Sequence, residues 1–226
     1  MIPRPENPLV VALDVSDVDA AAMLARALEG TVGLFKVGLE LFTAHGAASV
    51  ERVRSFGPVF LDLKLHDIPT TVEHAARNVA RLGVDMLTVH ALGGEAMVAA
   101  AVRGASDGAP ADRPPPAVVA VTVLSSLAGE GLASPASLAF EAVSTGASGV
   151  VVSGDDVSVV REVVGAEAIL VVPGIRPAGS DGHDQVRILT PEEAIERGAD
   201  YLVVGRAISE SHDPAAVARA ILASVR

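Results

Sequence analysis

What most limits the folds open to this chain is an alternation kept from end to end, in which short apolar, strand-like runs are each followed by a stretch of helical pattern. Such alternation favours parallel strands with helices packed outside them. The strand-like runs are Leu9–Asp14, Leu34–Val37, Pro58–Leu65, Met86–His90, Val118–Val123, Gly149–Val152, Ile169–Val172 and Tyr201–Val204. The helical stretches between and after them are Asp17–Leu28, Leu39–Phe56, Thr70–Leu82, an alanine-rich run from the Gly93-Gly94 turn to Ala105, Pro135–Thr145, Asp155–Val164, Pro191–Arg197 and Pro214–Val225. Eight units favour a closed (β/α)8 TIM barrel, an α/β fold, over an open doubly wound sheet. The 226 residues suit one such domain over 1–226, since the fold takes roughly 250 residues. The segment Asp107–Pro116, DGAPADRPPP, has the composition of a linker, but the alternation resumes directly after it, so a surface loop is expected.

Composition narrows the function. Half of the residues are hydrophobic, yet no apolar run approaches the roughly 20 residues that span a bilayer. The opening MIPRPENP lacks the basic and then apolar pattern of a secretory signal, so a soluble, cytoplasmic protein without membrane contact is expected. The absence of cysteine excludes disulfides, thiolate nucleophiles and cysteine-held metals. A net charge of −11 and a pI near 4.9 argue against a nucleic-acid partner. A small anionic ligand would need a local cluster of Lys and Arg.

The densest chemistry lies in FLDLKLHDIPTT, Phe60 to Thr71. Leu61, Leu63 and Leu65 alternate with Asp62 and Lys64, so in a barrel strand the leucines face the helices and the two charges face inward. His66, Asp67 and Pro69 follow at once, turning the strand into the next helix at the end where such barrels keep their chemistry. Polar residues recur at the same end of other strands: Asp14, Lys36, Ser125, Arg176, Gln185 and Arg206. Lys36, Asp62, Lys64 and Asp67 could form an alternating chain of ammonium and carboxylate groups. Opposite charges about 4 Å apart attract by roughly 4 kcal/mol at an effective dielectric near 20. A purely structural network closing the barrel mouth is the alternative, and burying four charges is a costly way to gain stability.

A second cluster lies late in the chain. PGIRPAGSDGHDQ, Pro173 to Gln185, carries Arg176 and Gln185, and VVGRAI, Val203 to Ile208, carries Gly205 and Arg206. Backbone amides at Gly205 and a guanidinium at Arg206 suit a phosphate, and the loops after strands seven and eight are the usual phosphate site of the fold. The six histidines, His45, His66, His74, His90, His183 and His212, include no HExxH and no tight set with carboxylates. They are therefore expected to be structural or solvent-exposed, with no metal site.

FKVG, DLKLHDIPTT, PGIRP with a following DQ and TP, and the final VVGRAI together resemble the orotidine 5'-phosphate decarboxylase family from the first strand to the eighth. The resemblance implies conversion of orotidine 5'-monophosphate (OMP) to UMP and carbon dioxide, the last step of de novo pyrimidine synthesis, without metal or organic cofactor. It also implies a homodimer, with Asp67 and Thr71 contributed across the interface. By the same resemblance Lys36, Asp62, Lys64 and Asp67 are the charged tetrad, and Asp14 and Lys36 contact the ribose hydroxyls with the partner's Asp67 and Thr71. Ser125 then reads the pyrimidine edge, and Arg176, Gln185, Gly205 and Arg206 hold the phosphate. Loss of carbon dioxide would leave a C6 carbanion with no carbonyl placed to delocalise it, so electrostatics must carry the step and Lys64 can supply the proton. Asp62 would either repel the substrate carboxylate or hold Lys64; the residues alone leave both open. Two other classes share features. Metal-dependent sugar-phosphate decarboxylases and hexulose-phosphate synthases have the DxKxxD pattern but place a carboxylate where this chain has Lys36. A non-catalytic phosphate-binding barrel accounts for the late Arg and Gly residues but not for an inward tetrad.

Overall fold

A computed structural model describes residues 5–123, 134–176 and 189–225. Its eight strands are β1 (Leu9–Ala12), β2 (Leu34–Gly38), β3 (Val59–Leu65), β4 (Met86–His90), β5 (Ala117–Val121), β6 (Gly149–Val151), β7 (Ile169–Val172) and β8 (Tyr201–Val204). They pair in parallel, in sequence order, and β8 returns to β1 to close the barrel. Around it lie α1 (Val18–Ala27), α2 (Leu39–His45), α3 (Ala47–Val53), α4 (Pro69–Arg81), α5 (Gly94–Gly108), α6 (Pro135–Ser144), α7 (Asp156–Val164), α8 (Pro191–Glu196), α9 (Arg206–Ser209) and α10 (Pro214–Ser224). None of the described helices is long and apolar enough to cross a membrane.

Strand periodicity divides the apolar residues into two shells. Val10, Ala12, Leu34, Phe60, Met86, Val119, Ile169, Val171 and Val203 fill the barrel interior. Their neighbours in sequence, including Val11, Phe35, Leu61, Leu87 and Leu202, point outward into the larger core beneath the helices. Leu63 and Leu65 pack on that outer shell, as the alternation in β3 requires. Asp62 and Lys64 therefore continue the inward row begun by Phe60.

Two departures from the sequence pattern have local causes. The single helix expected over Leu39–Phe56 is two helices, because Gly46 between α2 and α3 adopts φ 56°, which breaks the helical path. Conversely, α5 continues to Gly108, into the start of the expected loop. Gly104 and Gly108 lie against α4 so closely that a Cβ would stand 2.1 Å from the Glu73 carbonyl oxygen and 2.2 Å from that of Arg77. Glycine costs about 1 kcal/mol in a helix interior, and here it permits backbone-to-backbone contact. Glu73–Arg77, Arg77–Asp107 and Arg103–Glu73 ion pairs tie the same two helices together.

At the opposite end from the polar strand termini, two aspartates staple adjacent strands. Asp85 accepts from the Val59 N–H at 2.8 Å and from Arg113 at 3.0 Å, which anchors the Pro-rich loop. Asp200 accepts from the Leu170 N–H at 2.8 Å and pairs with Arg161. These charges sit on the amino-terminal face, where a barrel carries stability rather than chemistry.

Candidate active site

The polar residues singled out by the alternation converge at the carboxyl ends of the strands. Lys36, on β2, donates to Asp14 at 2.9 Å, and its Nζ lies 3.7 Å from Asp62 Oδ2. Lys64 donates to the same Asp62 oxygen at 2.7 Å. One carboxylate thus sits between two ammonium groups, and the Lys36 and Asp62 side chains are only 11% and 13% exposed. Gly38 leaves room for this row, since a Cβ there would stand 3.1 Å from both Asp14 Oδ1 and Lys36 Nζ.

Thr88 locks the arrangement and is not evident from motif spacing. Its hydroxyl donates to Asp62 Oδ1 at 2.9 Å and accepts from the Lys64 backbone N–H at 2.8 Å. The signal that could have found it is parity: Met86, Thr88 and His90 share the inward face of β4. Lys64 itself adopts φ 51°, and the pairing of β3 with β4 shifts register between Leu61 and Leu65. A left-handed, non-glycine residue costs of order 1 kcal/mol or more, and such strain concentrates where a side chain must be aimed.

Two adjoining cavities share Lys36, Asp62, Pro173 and Val203. The larger, about 420 Å³, also takes in Asp14, Arg176, Gly205, Arg206 and Glu210. The smaller, about 130 Å³, lies within the barrel against Phe60, Val121, Val151 and Val171, with Lys64 and Ser153 as further polar walls. One space thus has an outer end that carries the Arg176 and Arg206 guanidinium groups beside Glu210, a charged middle and an apolar inner end. That arrangement suits an anion attached to a flat, largely apolar ring.

Other expected site residues lie apart. Asp67 is exposed, and its carboxylate accepts from the adjacent Ile68 N–H at 2.7 Å. Among the described residues no ion pair joins it to Lys64, so three members of the expected tetrad meet within one chain. Thr71 is exposed in the first turn of α4. Ser125 and Gln185 fall outside the described residues. His66 stacks on His90 with ring centroids 5.3 Å apart. Burial, followed by His66 and Lys64, holds the His90 pKa below the ordinary histidine value, and its Nδ1 is buried without a hydrogen-bond partner among the described residues.

Comparison with known proteins bears on the family and the fold. The family model described as Orotidine 5'-phosphate decarboxylase / HUMPS family matches residues 7–221. The chain is 51% identical to an orotidine 5'-phosphate decarboxylase of Anaeromyxobacter sp. (strain K), over 98% of this chain and 100% of that protein. It is 48% identical to the protein of that name from Moorella thermoacetica, over 97% of this chain and 92% of that one. The crystal structure of orotidine 5'-phosphate decarboxylase from Lactobacillus acidophilus superposes with a TM-score of 0.85 at 35% identity, covering 98% of this chain and 100% of that one.

Proposed function

Because the chain belongs to the orotidine 5'-phosphate decarboxylase / HUMPS family, we propose that it is a carboxy-lyase converting OMP to UMP and carbon dioxide. This is the closing step of de novo pyrimidine synthesis, carried out by one 1–226 domain in the cytoplasm. The observation that carries the assignment is the row Lys36, Asp62, Lys64, held at 3.7 and 2.7 Å along the wall of a cavity with Arg176 and Arg206 at one end and apolar strand residues at the other.

In this assignment the phosphate binds at Arg176, Gln185, Gly205 and Arg206, and the ribose hydroxyls meet Asp14 and Lys36. The pyrimidine lies in the smaller cavity, with Ser125 at its edge and C6 toward Lys64. The C6–carboxylate bond breaks with its electron pair left on C6. The Lys64 ammonium stabilises that pair and then protonates C6, and the resulting amine regains a proton from solvent. Asp62 orients Lys64, a role favoured by the two hydrogen bonds that fix the carboxylate. Phosphate binding far from the breaking bond supplies energy that the reacting centre can use.

The Lys36 ammonium lies between Asp14 and Asp62, so the position where the metal-dependent branch needs a cation already holds one. This supports a reaction without metal or organic cofactor. The assembly we infer is a homodimer in which Asp67 and Thr71 complete the partner's site. Leu39, Ile68 and Leu92 follow the carboxyl ends of the adjacent strands β2, β3 and β4, and they are 51%, 67% and 46% exposed. An apolar rim beside the charged row suits burial by a second copy.

The test is the loss of OMP absorbance with purified protein after exhaustive EDTA treatment. Sustained turnover is expected. Loss of activity that magnesium restores would move the chain to the metal-dependent branch, and no turnover in either condition would overturn the assignment.

A further inference from the structure

Ser153 lies just past the end of β6, two residues beyond Val151, whose side chain packs on the barrel interior. Strand alternation therefore continues the inward row to Ser153, and the residue lines the smaller cavity. It is 3% exposed, and its Oγ is buried without a hydrogen-bond partner among the described residues. A buried hydroxyl left unpaired costs about 1–3 kcal/mol, and such groups nearly always find a partner. The surrounding wall, Phe60, Val121, Val151 and Val171, would accept alanine at this position at no such cost.

The closed strand order sets β6 opposite β2 and three strands from β3, across the barrel from Lys36, Asp62 and Lys64. In a pyrimidine ring, N3 lies across from C6. With C6 held toward Lys64, as proposed above, the N3–C4 edge points to the side of the barrel where Ser153 stands. A serine hydroxyl can donate to a carbonyl oxygen and accept from an N–H, the two groups that this edge presents.

We infer that Ser153 is a further substrate-contacting residue, its hydroxyl hydrogen-bonding the imide edge of the pyrimidine ring seated in the smaller cavity. This rests on the nucleotide assignment of the preceding subsection. Among the described residues the hydroxyl has no partner in the free protein; the ring edge supplies one in the complex, so its contribution goes to binding rather than to folding.

Calorimetric titration of wild type and Ser153→Ala with UMP and with ribose 5-phosphate separates the outcomes. The variant should bind UMP about 5- to 10-fold more weakly, the amount expected of one neutral hydrogen bond. Ribose 5-phosphate, which has no ring, should bind both proteins alike. The melting midpoint of the variant should equal or exceed that of wild type, since an unpaired polar group has been removed. Ser153→Cys keeps the side-chain shape at slightly larger size and replaces the hydroxyl by a weak donor, so it should show the same UMP-selective loss and serves as the readout should the alanine variant not fold. Unchanged UMP affinity, or equal losses for UMP and ribose 5-phosphate, would overturn the role of Ser153. Wild-type turnover of OMP is scored separately: its failure refutes the activity, whereas the contrast between the two ligands judges Ser153 alone.

Discussion

Lys64 joins a strained backbone to a fixed ammonium, and each explains the other. The β3 pleat turns its side chain inward, and φ 51° with the register shift beside β4 sets the angle at which Nζ meets Asp62, with Thr88 gripping the backbone N–H. Lys64→Ala removes the ammonium but leaves Asp62 with Thr88 and Lys36, so the site should keep its shape. Turnover of OMP should fall on the order of 10³-fold or more, while UMP affinity by titration changes only a few-fold. Retained turnover would exclude Lys64 as the proton donor. His90, at the end of the same inward row on β4, reports on this site through pH. Its folded pKa lies below the ordinary 6.5 through burial and the neighbouring His66 and Lys64. Between 6.5 and the lower folded value the unfolded chain binds more protons, so stability present above pH 6.5 is lost as pH falls through that window. Urea midpoints measured from about pH 8 down to about pH 5.5 should therefore decline, and His90→Asn should flatten the decline. An unchanged slope in the variant would assign the pH dependence to other groups.

At the scale of elements, α4 matters because the exposed run 66–71 enters it, and α4 is held by its contact with α5. Gly104→Ala would drive a Cβ to within 2.1 Å of the Glu73 carbonyl, a backbone atom that cannot swing aside. A destabilisation of about 1–3 kcal/mol is expected, read as a lowered melting midpoint. Gly94→Ala is the poorer comparison because its φ is 77°; Ala99→Gly, at a partly exposed position inside the same helix, measures the ordinary cost of glycine instead. A Gly104→Ala midpoint equal to wild type would mean that the two helices can separate freely. The eight strands were legible because parallel, doubly covered strands are continuous apolar runs, and Met86–His90, Ile169–Val172 and Tyr201–Val204 have the bounds that the pattern suggests. Gly46 and Gly108 were not. A glycine inside a helical pattern can break a helix, as Gly46 does, or admit a neighbour, as Gly104 and Gly108 do, and only the packing partner decides. In the site, alternation placed Asp62 and Lys64 facing inward, and position at a strand end marked Lys36. Thr88 and Ser153 escaped because a lone hydroxyl on an apolar strand has no motif, and the turn at Lys64 escaped because lysine carries no preference for positive φ.

At the scale of the whole molecule, the proposed homodimer would give Asp67 and Thr71 a purpose. Among the described residues of one chain, the hydrogen bond that Asp67 makes is the one it accepts from its own neighbour Ile68, at the edge of an apolar rim. If a second copy covers that rim by a two-fold axis, each subunit lends its Asp67 to the row that the other builds from Lys36, Asp62 and Lys64. The two damaged variants Lys64→Ala and Asp67→Ala then have complementary defects. Each is inactive as a homodimer, but in a mixed dimer one site carries both defects while the other combines the intact Lys64 of one chain with the intact Asp67 of its partner. Random reassociation makes half of the dimers mixed, each with one of two sites native, so about a quarter of wild-type activity should return. Assaying equal mixtures after mild dissociation and reassociation, with sedimentation to verify the dimer, measures this directly. Activity no higher than the mean of the separate variants, in dimers shown to have exchanged subunits, would mean that each chain uses its own Asp67 or none, and the shared site would have to be abandoned.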